Sequence, residues 1–192
     1  QLSLQGIIDF DLPSAGSTGK AIHFRADSSI SDLSIYGVGV ANNGGGTDGV
    51  EYVFPSIVLQ QGDDVLLYRD SSAMSNYFGS CINSFEVRLQ ASNSISQNGD
   101  DAIELFKDSV VIETFGDITI DGSGTFWEYT DSWAYKDTLG MTWPNGWIYG
   151  GPNCTDNDTL VSTSSCPYPE CSGNSTIHVV TFRVNTANIT VG

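Results

Sequence analysis

The chain has 192 residues, 40% of them apolar and 11% aromatic, so it is long enough to bury a substantial core in one large domain. Its 23 acidic and 7 basic residues give a net charge of −16, which repels the phosphates of nucleic acids and anionic lipids. We therefore expect no nucleic-acid partner, and no membrane insertion either, because no apolar run approaches the ~20 residues that cross a bilayer.

Short runs of β-branched and aromatic residues recur along the chain between Gly, Asn, Asp and Ser, and no segment has a convincing helical period. The predicted strands are Leu2–Phe10, Ala21–Arg25, Leu33–Val40, Val65–Arg69, Phe85–Leu89, Ala102–Lys107, Ser109–Phe115, Phe126–Tyr135 and Ile177–Asn185. In the last of them, Val180, Phe182 and Val184 alternate with polar residues, as in a strand with one buried face. Strands at this spacing, without helices between them, predict an all-β, antiparallel sandwich.

Two long segments are predicted to be loops. The glycine-rich segment 41–49 lacks the lysine and the following helix of a phosphate-binding loop. The segment 145–176 has turn residues and three of the four cysteines, which predicts a long covering loop pinned by disulfides. We therefore divide the chain into a β-sandwich domain at 1–150 and a disulfide-rich covering loop with a final strand at 151–192. The second part either belongs to the same domain or is donated to a neighbour.

The cysteines predict the compartment. There are four, Cys81, Cys154, Cys166 and Cys171, and they lack the paired spacing of a structural zinc site. An even number predicts two disulfides and an extracellular or cell-surface location. Of the three possible pairings we prefer Cys166–Cys171 as a local clip and Cys81–Cys154 as a longer staple.

Asn-x-Ser/Thr sequons cluster towards the C-terminus, at Asn153, Asn157, Asn174 and Asn188. A chain rich in Ser, Thr and Asn produces sequons by chance, and they are glycosylated only where the host has the machinery. The cluster nevertheless makes the C-terminal part a candidate glycan-bearing face.

A Gly-Asp-Asp unit occurs twice, within 62–71 and within 98–109, each time before an apolar run that ends in a basic residue and Asp-Ser. The oxygen-bearing side chains of the second copy are Asn98, Asp100, Asp101 and Glu104. Such side chains bind calcium, but Asp and Asn also bond their own backbone in turns, and Asn-Gly is a tight-turn signal. We interpret both copies as turns that start a strand. A calcium site is the weaker alternative, and no other metal or cofactor is expected.

The segment from Phe126 to Trp147 is rich in aromatic residues and contains every tryptophan of the chain, Trp127, Trp133, Trp143 and Trp147. Exposed rings stack on sugars or dock proteins, so these residues are a candidate partner or sugar platform. In strand alternation Trp127, Tyr129 and Trp133 would share one face, which is also how a sandwich fills its core. Core packing is the interpretation we prefer.

Catalysis has little support in the sequence. His23 and His178 lie within predicted strands, where we expect them to point to solvent, and no nucleophile-elbow motif accompanies them. Carboxylate pairs such as Glu128 and Asp131 could serve glycoside hydrolysis, but among 23 acidic residues such pairs arise everywhere. We therefore expect a protein that is not an enzyme and has no catalytic residues.

Four segments, taken in order, resemble the lamin-tail-type (immunoglobulin-like) domain of secreted and cell-surface microbial proteins: ISDLSIYGVGVANNGGGTDGVEYVFPS, LQQGDDVLLYRDS, NGDDAIELFKDSVVIETFGDI and DGSGTFWEYTDSWAYK. The resemblance covers roughly Ile7 to Trp147. It implies an immunoglobulin-like β-sandwich. It also implies an accessory role rather than catalysis, since this type of domain often accompanies extracellular nucleases, phosphatases or anchoring segments.

Two functional hypotheses follow. The first is a non-catalytic extracellular module for assembly or adhesion, with self-association or other surface proteins and glycans as partners. Its final strand, within 177–192, either completes its own sandwich or pairs with an open edge of a neighbour, which repeated head to tail gives a filament. The alternative is a carbohydrate- or calcium-binding accessory module of a secreted enzyme.

Overall fold

A computed structural model describes residues 1–13 and 16–172. These residues form ten β-strands and one α-helix, so the described chain is mostly β, whereas the sequence predicted an all-β fold. The strands are Leu2–Phe10 (β1), Gly19–Ala26 (β2), Tyr36–Ala41 (β3), Tyr52–Val53 (β4), Asp64–Tyr68 (β5), Val87–Gln90 (β6), Ala102–Lys107 (β7), Val110–Phe115 (β8), Ser132–Lys136 (β9) and Trp147–Tyr149 (β10). The helix is Ser71–Phe78 (α1). The predicted final strand, Ile177–Asn185, lies outside the described residues.

The strands form two sheets. The six-stranded sheet has the order β10-β9-β1-β2-β5-β6, and the four-stranded sheet has the order β4-β3-β7-β8. Neighbouring strands are antiparallel except β5 and β6, which run parallel and are joined through α1 and a 3-10 turn at Gly79–Ser84. Parallel neighbours need such a crossover because a tight hairpin can only join antiparallel strands. The wholly antiparallel arrangement predicted from the sequence is therefore wrong at this edge.

One apolar core lies between the two sheets. Leu4 and Ile7 of β1 contribute to it from the larger sheet, and Val38, Leu105 and Phe115 from the smaller one. Inward-facing residues of both sheets thus bury each other, which is the main favourable contribution to folding.

A second apolar cluster covers the opposite face of the six-stranded sheet. Ile8 and Phe10 of β1 pack there against Met74 of α1, and Val161 and Tyr168 of the C-terminal segment join them. Because the sheet is covered on both faces, every residue of β1 is buried. The part of the predicted covering loop at 151–172 therefore packs on this sheet.

The helix α1 was not predicted. Its N-cap is Asp70, whose side chain accepts a hydrogen bond from the Ala73 N–H at 2.8 Å, and it ends at Gly79, which has a φ of 55°. Eight residues are too few to produce a clear helical period, and the helix is held mainly by the burial of Tyr77 and Phe78. In the described ranges no helix has the length and apolar character needed to cross a membrane.

Some predicted strand boundaries are also wrong. Leu33–Ile35 form a 3-10 turn, and the strand begins only at Tyr36. Of the predicted strand Phe126–Tyr135, only the end belongs to β9, because turns occupy the residues before it and Asp131 has a φ of 45°. That left-handed conformation interrupts an extended chain.

All four cysteines are paired, but not as preferred from the sequence. The disulfides are Cys81–Cys171 and Cys154–Cys166, with Cα–Cα distances of 5.6 and 5.8 Å. The preferred pairs Cys166–Cys171 and Cys81–Cys154 are wrong, because the last 3-10 turn carries Cys171 back to the turn that follows α1. The two disulfides indicate an oxidising compartment.

Candidate functional site

The four tryptophans do not form one platform. Trp127 and Trp147 are buried in the core between the sheets, where both pack against Phe115. Trp133 is buried in the second cluster and donates its indole N–H to the Cys166 carbonyl at 3.1 Å. Only Trp143 is partly exposed.

The prediction that Trp127, Tyr129 and Trp133 share a face is wrong for Trp133. Tyr129 lies with Trp127 in the core between the sheets, whereas Trp133 lies on the other side of the larger sheet. The left-handed residue Asp131 between them breaks the alternation of an extended chain.

Phe126, Trp143 and Tyr149 form an aromatic patch at the β10 side of the molecule, in which Phe126 is exposed and the other two rings are partly exposed. The Phe126 side chain is 65% exposed, and its ring lies almost parallel to that of Trp143, with an interplanar angle of 13° and centroids 6.0 Å apart. The Tyr149 ring meets Phe126 edge-on at 6.2 Å. These geometries are typical of attractive aromatic pairs.

Local structure on both sides holds the patch in place. Phe126 follows a turn in which the Thr125 N–H and hydroxyl both donate to the Gly122 carbonyl, at 2.9 and 2.6 Å. Trp143 lies in the loop between β9 and β10, which is closed by the Asp137 N–H donating to the Gly146 carbonyl at 2.8 Å. The patch is therefore built on two ordered turns.

The patch is also continuous with the core. Trp143 packs edge-on against Trp127 at 6.1 Å and against Phe115 at 6.4 Å. Burial raises the pKa of the Tyr149 hydroxyl, and the neighbouring Trp143 indole partly opposes the rise. Neither the Trp143 N–H nor the Tyr149 hydroxyl makes a well-aligned hydrogen bond with a described residue.

Asp101, in the acidic loop before β7, connects three separate segments of the chain through hydrogen bonds. Its carboxylate accepts the backbone N–H of Asn43 at 2.7 Å and that of Asn98 at 3.1 Å, and its carbonyl accepts the Tyr129 hydroxyl at 2.8 Å. Glu104 is buried on β7, away from the turn. Burial, together with the charges of Asp101 and then others, raises the pKa of Asp100 to about 6.

These contacts favour the turn interpretation of the Gly-Asp-Asp unit. With its amide nitrogen turned towards the carboxylates, Asn98 donates to both Asp100 and Asp101, so it does not present an oxygen to a cation between them. Within residues 1–13 and 16–172, no cluster of three or more His, Cys, Asp or Glu is arranged to hold a metal ion. The calcium alternative remains an untested hypothesis.

His23 does not point to solvent as predicted. It is fully buried on β2, where its Nε2 lies 3.0 Å from Asp64 Oδ1 and its Nδ1 lies 3.0 Å from the Tyr168 hydroxyl. Burial raises the pKa of Tyr168, whose ring is itself inaccessible. The chain Asp64–His23–Tyr168 therefore anchors the C-terminal segment to the larger sheet. His178 lies outside the described residues.

A cleft of about 470 Å³ opens beside α1, between Leu12 and the turn at Asn157. Tyr77 lines it and donates its hydroxyl to Asp158 at 3.4 Å. Of the predicted sequon residues, Asn153 and Asn157 are both exposed, but Thr155 of the first sequon is buried and donates its hydroxyl to the Asp131 carbonyl at 2.6 Å. The other two, Asn174 and Asn188, lie outside the described residues. Glycosylation remains a prediction.

A buried ion pair was missed by the sequence reasoning. Asp9 and Lys20 lie opposite each other on β1 and β2, with Lys20 Nζ 2.6 Å from Asp9 Oδ1. Burial raises the pKa of Asp9, and the charge of Lys20 opposes the rise. Alternation along each strand could have placed both side chains on one face, but it could not indicate that the face is buried.

No protein-family model, curated protein or solved structure matches this chain. Its function must therefore be inferred from its own residues and their contacts.

Proposed function

We propose that this chain is a non-catalytic extracellular module for assembly or adhesion, of the immunoglobulin-like, lamin-tail-like type that its sequence resembles. We place its partner-binding surface at the aromatic patch. The observation that carries the proposal is the exposure of Phe126, which is 65% exposed although it belongs to an aromatic cluster that reaches the core. Large exposed aromatic side chains on an ordered support are typical anchors of interfaces.

The patch has the properties of a preformed site. Because Trp143 is wedged between Phe126 and the core residues, the ring stack loses little conformational freedom when a partner covers it. Leu139 and Met141, exposed on the same loop as Trp143, would widen the apolar contact. Fully burying a Phe side chain contributes about 1.5–3 kcal/mol, so covering the exposed part of Phe126 contributes about 1–2 kcal/mol.

The non-catalytic part of the proposal is supported by the environment of His23. Both of its ring nitrogens are engaged inside the fold, and the hydroxyl beside it belongs to the buried Tyr168. A general base must reach a substrate proton within about 3 Å. This arrangement gives a substrate no access to His23.

The direct test replaces Phe126 and a matched control. Phe126→Ser removes the exposed ring, and Val58→Ser removes a side chain that is 63% exposed on the segment between β4 and β5. Self-association, measured by sedimentation velocity over a range of protein concentrations, is expected to weaken about 5- to 30-fold in the Phe126 variant only. Equal behaviour of the two variants and the wild type would remove the patch from the proposal.

Salt dependence distinguishes the kinds of partner. Two copies of a chain with a net charge of −16 repel each other, so added salt should strengthen self-association through the patch. A basic partner protein would be attracted instead, and added salt should weaken its binding. Because salt changes the affinity in opposite directions, a single salt titration distinguishes self-association from binding to a basic partner.

Carbohydrate binding is the second candidate, and the parallel stack of Phe126 on Trp143 favours it. The outer face of Phe126 offers a flat apolar surface of the kind on which sugar rings stack. A glycan array that gives signal with the wild type and with Val58→Ser, but not with Phe126→Ser, would select this candidate over assembly.

Assembly by strand donation is a further form of the first candidate. The end strand β8 has two exposed apolar residues, Val110 and Val111, and an end strand offers unpaired backbone groups to another strand. The alternating segment 177–192, which lies outside the described residues, is the candidate donor. Its deletion should abolish assembly and leave a folded monomer. Unfolding of the monomer would instead mean that the segment completes its own fold.

A further inference from the structure

Asp9 and Lys20 are held together in a place that strongly disfavours two charges. Their side chains face each other across β1 and β2 with Nζ 2.6 Å from Oδ1, and the residues are only 5% and 7% exposed. On its other side Asp9 is opposite Ser132 of β9, so it lies on a central strand. Removing an ammonium and a carboxylate from water is unfavourable, and their mutual attraction offsets this only when the geometry is excellent and further hydrogen bonds satisfy both groups.

A third acidic residue completes the group. A backbone hydrogen bond links Asp131 to the Asp9 carboxyl, and the Asp131 carboxylate is close enough to interact with both Asp9 and Lys20. Asp131 adopts a φ of 45°, and the Thr155 N–H and hydroxyl both donate to its carbonyl, at 3.1 and 2.6 Å. The C-terminal segment thus fixes this residue beside the pair.

We propose that Lys20 and Asp9 join covalently, through an amide bond between Lys20 Nζ and Asp9 Cγ, and that Asp131 carries the proton that the reaction must move. The product is neutral, so it removes both charges from the interior. The nucleophile and the electrophile are already in contact, and such preorganisation replaces a bimolecular encounter.

The reaction balances without any co-reactant. Lys20 first passes a proton to the Asp9 carboxylate, which gives a neutral amine and a neutral carboxylic acid. The Nζ lone pair then attacks Cγ, forming the C–N bond, and the Cγ–OH bond breaks. The nitrogen loses a proton to Asp131, which returns it to the departing hydroxyl group, so one water molecule leaves. No atom is oxidised or reduced.

A second buried pair provides the contrast. Lys136 of β9 contacts Glu113 of β8, but the other oxygen of Glu113 accepts the Leu4 N–H at 2.9 Å. The Lys136 ammonium also lies over the Trp147 ring, 5.6 Å from its centroid. The Asp9 carboxyl also accepts a backbone hydrogen bond, so the contrast lies with the lysine. Lys136 has a second partner in the Trp147 ring, and this pair is therefore assigned as a non-covalent salt bridge.

The test is the mass of the folded, oxidised wild-type protein, produced in a host that does not add N-glycans. We expect an intact mass lower by one water molecule than the sequence with its two disulfides requires. Because a succinimide at Asp48 or Asp121, each followed by glycine, would remove the same mass, the deciding readout is the peptide map. Trypsin should fail to cleave after Lys20, so that residues 1–25 form one peptide lacking one water molecule. Its tandem spectra should lack backbone fragments between Asp9 and Lys20, because the amide bond closes a loop there.

The variants separate this bond from a general loss of stability. Lys20→Met should restore the full mass, whereas the matched Lys136→Met, which removes the lysine of the salt bridge, should keep the water loss. Asp131→Asn should leave a mixture of linked and unlinked chains, and complete linkage in that variant would remove Asp131 from the mechanism. A wild-type protein of full mass that trypsin cleaves at Lys20 overturns the proposal.

Discussion

The disulfide Cys81–Cys171 should contribute more to stability than Cys154–Cys166. The first links residues 90 positions apart and the second links residues 12 apart. A cross-link restricts the unfolded chain more when it closes a longer loop. The relation between loop length and chain entropy gives a contribution to the free energy of unfolding of about 4.6 kcal/mol for the first disulfide and about 2.9 kcal/mol for the second. Removing the first disulfide should therefore lower the free energy of unfolding by about 1.7 kcal/mol more than removing the second.

The assay compares Cys81→Ser/Cys171→Ser with Cys154→Ser/Cys166→Ser, so that neither variant retains a free thiol. Urea unfolding monitored by tryptophan fluorescence gives the free energy of unfolding of each variant. For a domain of this size the loss of Cys81–Cys171 should lower the Tm by about 9–18 °C. A smaller loss for this pair than for Cys154–Cys166 would refute the reasoning. A disulfide map that links Cys81 to Cys154 would refute the connectivity itself.

Three further predictions concern polar groups inside the fold. Tyr168→Phe leaves a His23 nitrogen without its partner and should cost about 1–3 kcal/mol in urea unfolding, whereas Tyr149→Phe, which removes a hydroxyl with no described hydrogen bond, should be nearly neutral. Asp100 has its pKa raised from 3.8 to about 6 in the folded protein, so the folded state holds the extra proton and stability from this group is present at low pH and lost as pH rises through about 6. Urea unfolding at pH 4 and pH 7 should show this loss in the wild type and a smaller one in Asp100→Asn; an equal loss in both would contradict it. Asp101→Ala removes two backbone hydrogen bonds and should lower the Tm equally with calcium and with a chelator, while a loss seen only with calcium would select the metal site.

Strands rich in apolar residues could be predicted from the sequence. The bounds of Leu2–Phe10 and Ala102–Lys107 match the structure at both ends, and Val110–Phe115 differs by one residue. By contrast, Tyr52–Val53 and Trp147–Tyr149 are too short to show an alternation, and they exist only because a neighbouring strand pairs with them. Tertiary pairing, which a local pattern does not contain, decides such elements.

The surroundings of the candidate site residues are also set by contacts between positions far apart in the chain. The prediction that His23 faces solvent was wrong because its burial is set by Asp64 and Tyr168. These residues lie 41 and 145 positions further along the chain, where a local pattern gives no indication of the contact. The platform hypothesis, which stays a prediction, named the four tryptophans. Only Trp143 of these is partly exposed, whereas the strongly exposed ring of the segment is that of Phe126. The face on which Trp133 lies depends on the left-handed backbone at Asp131, and the sequence carries no clear signal for that conformation.

The two-sided burial of β1 connects the fold to the surface charge. A strand covered on both faces must satisfy its polar residues internally, and Asp9 does so with Lys20, while the Gln5 amide donates to the Lys136 carbonyl at 2.7 Å. Lys136 and Lys20 are two of only 7 basic residues, and both are nearly inaccessible. Their positive charges are therefore neutralised by Asp9 and Glu113 inside the fold, and few cations remain to offset the exposed carboxylates. An apolar patch on so acidic a surface favours neutral or basic partners, because a second acidic surface must first be screened by salt.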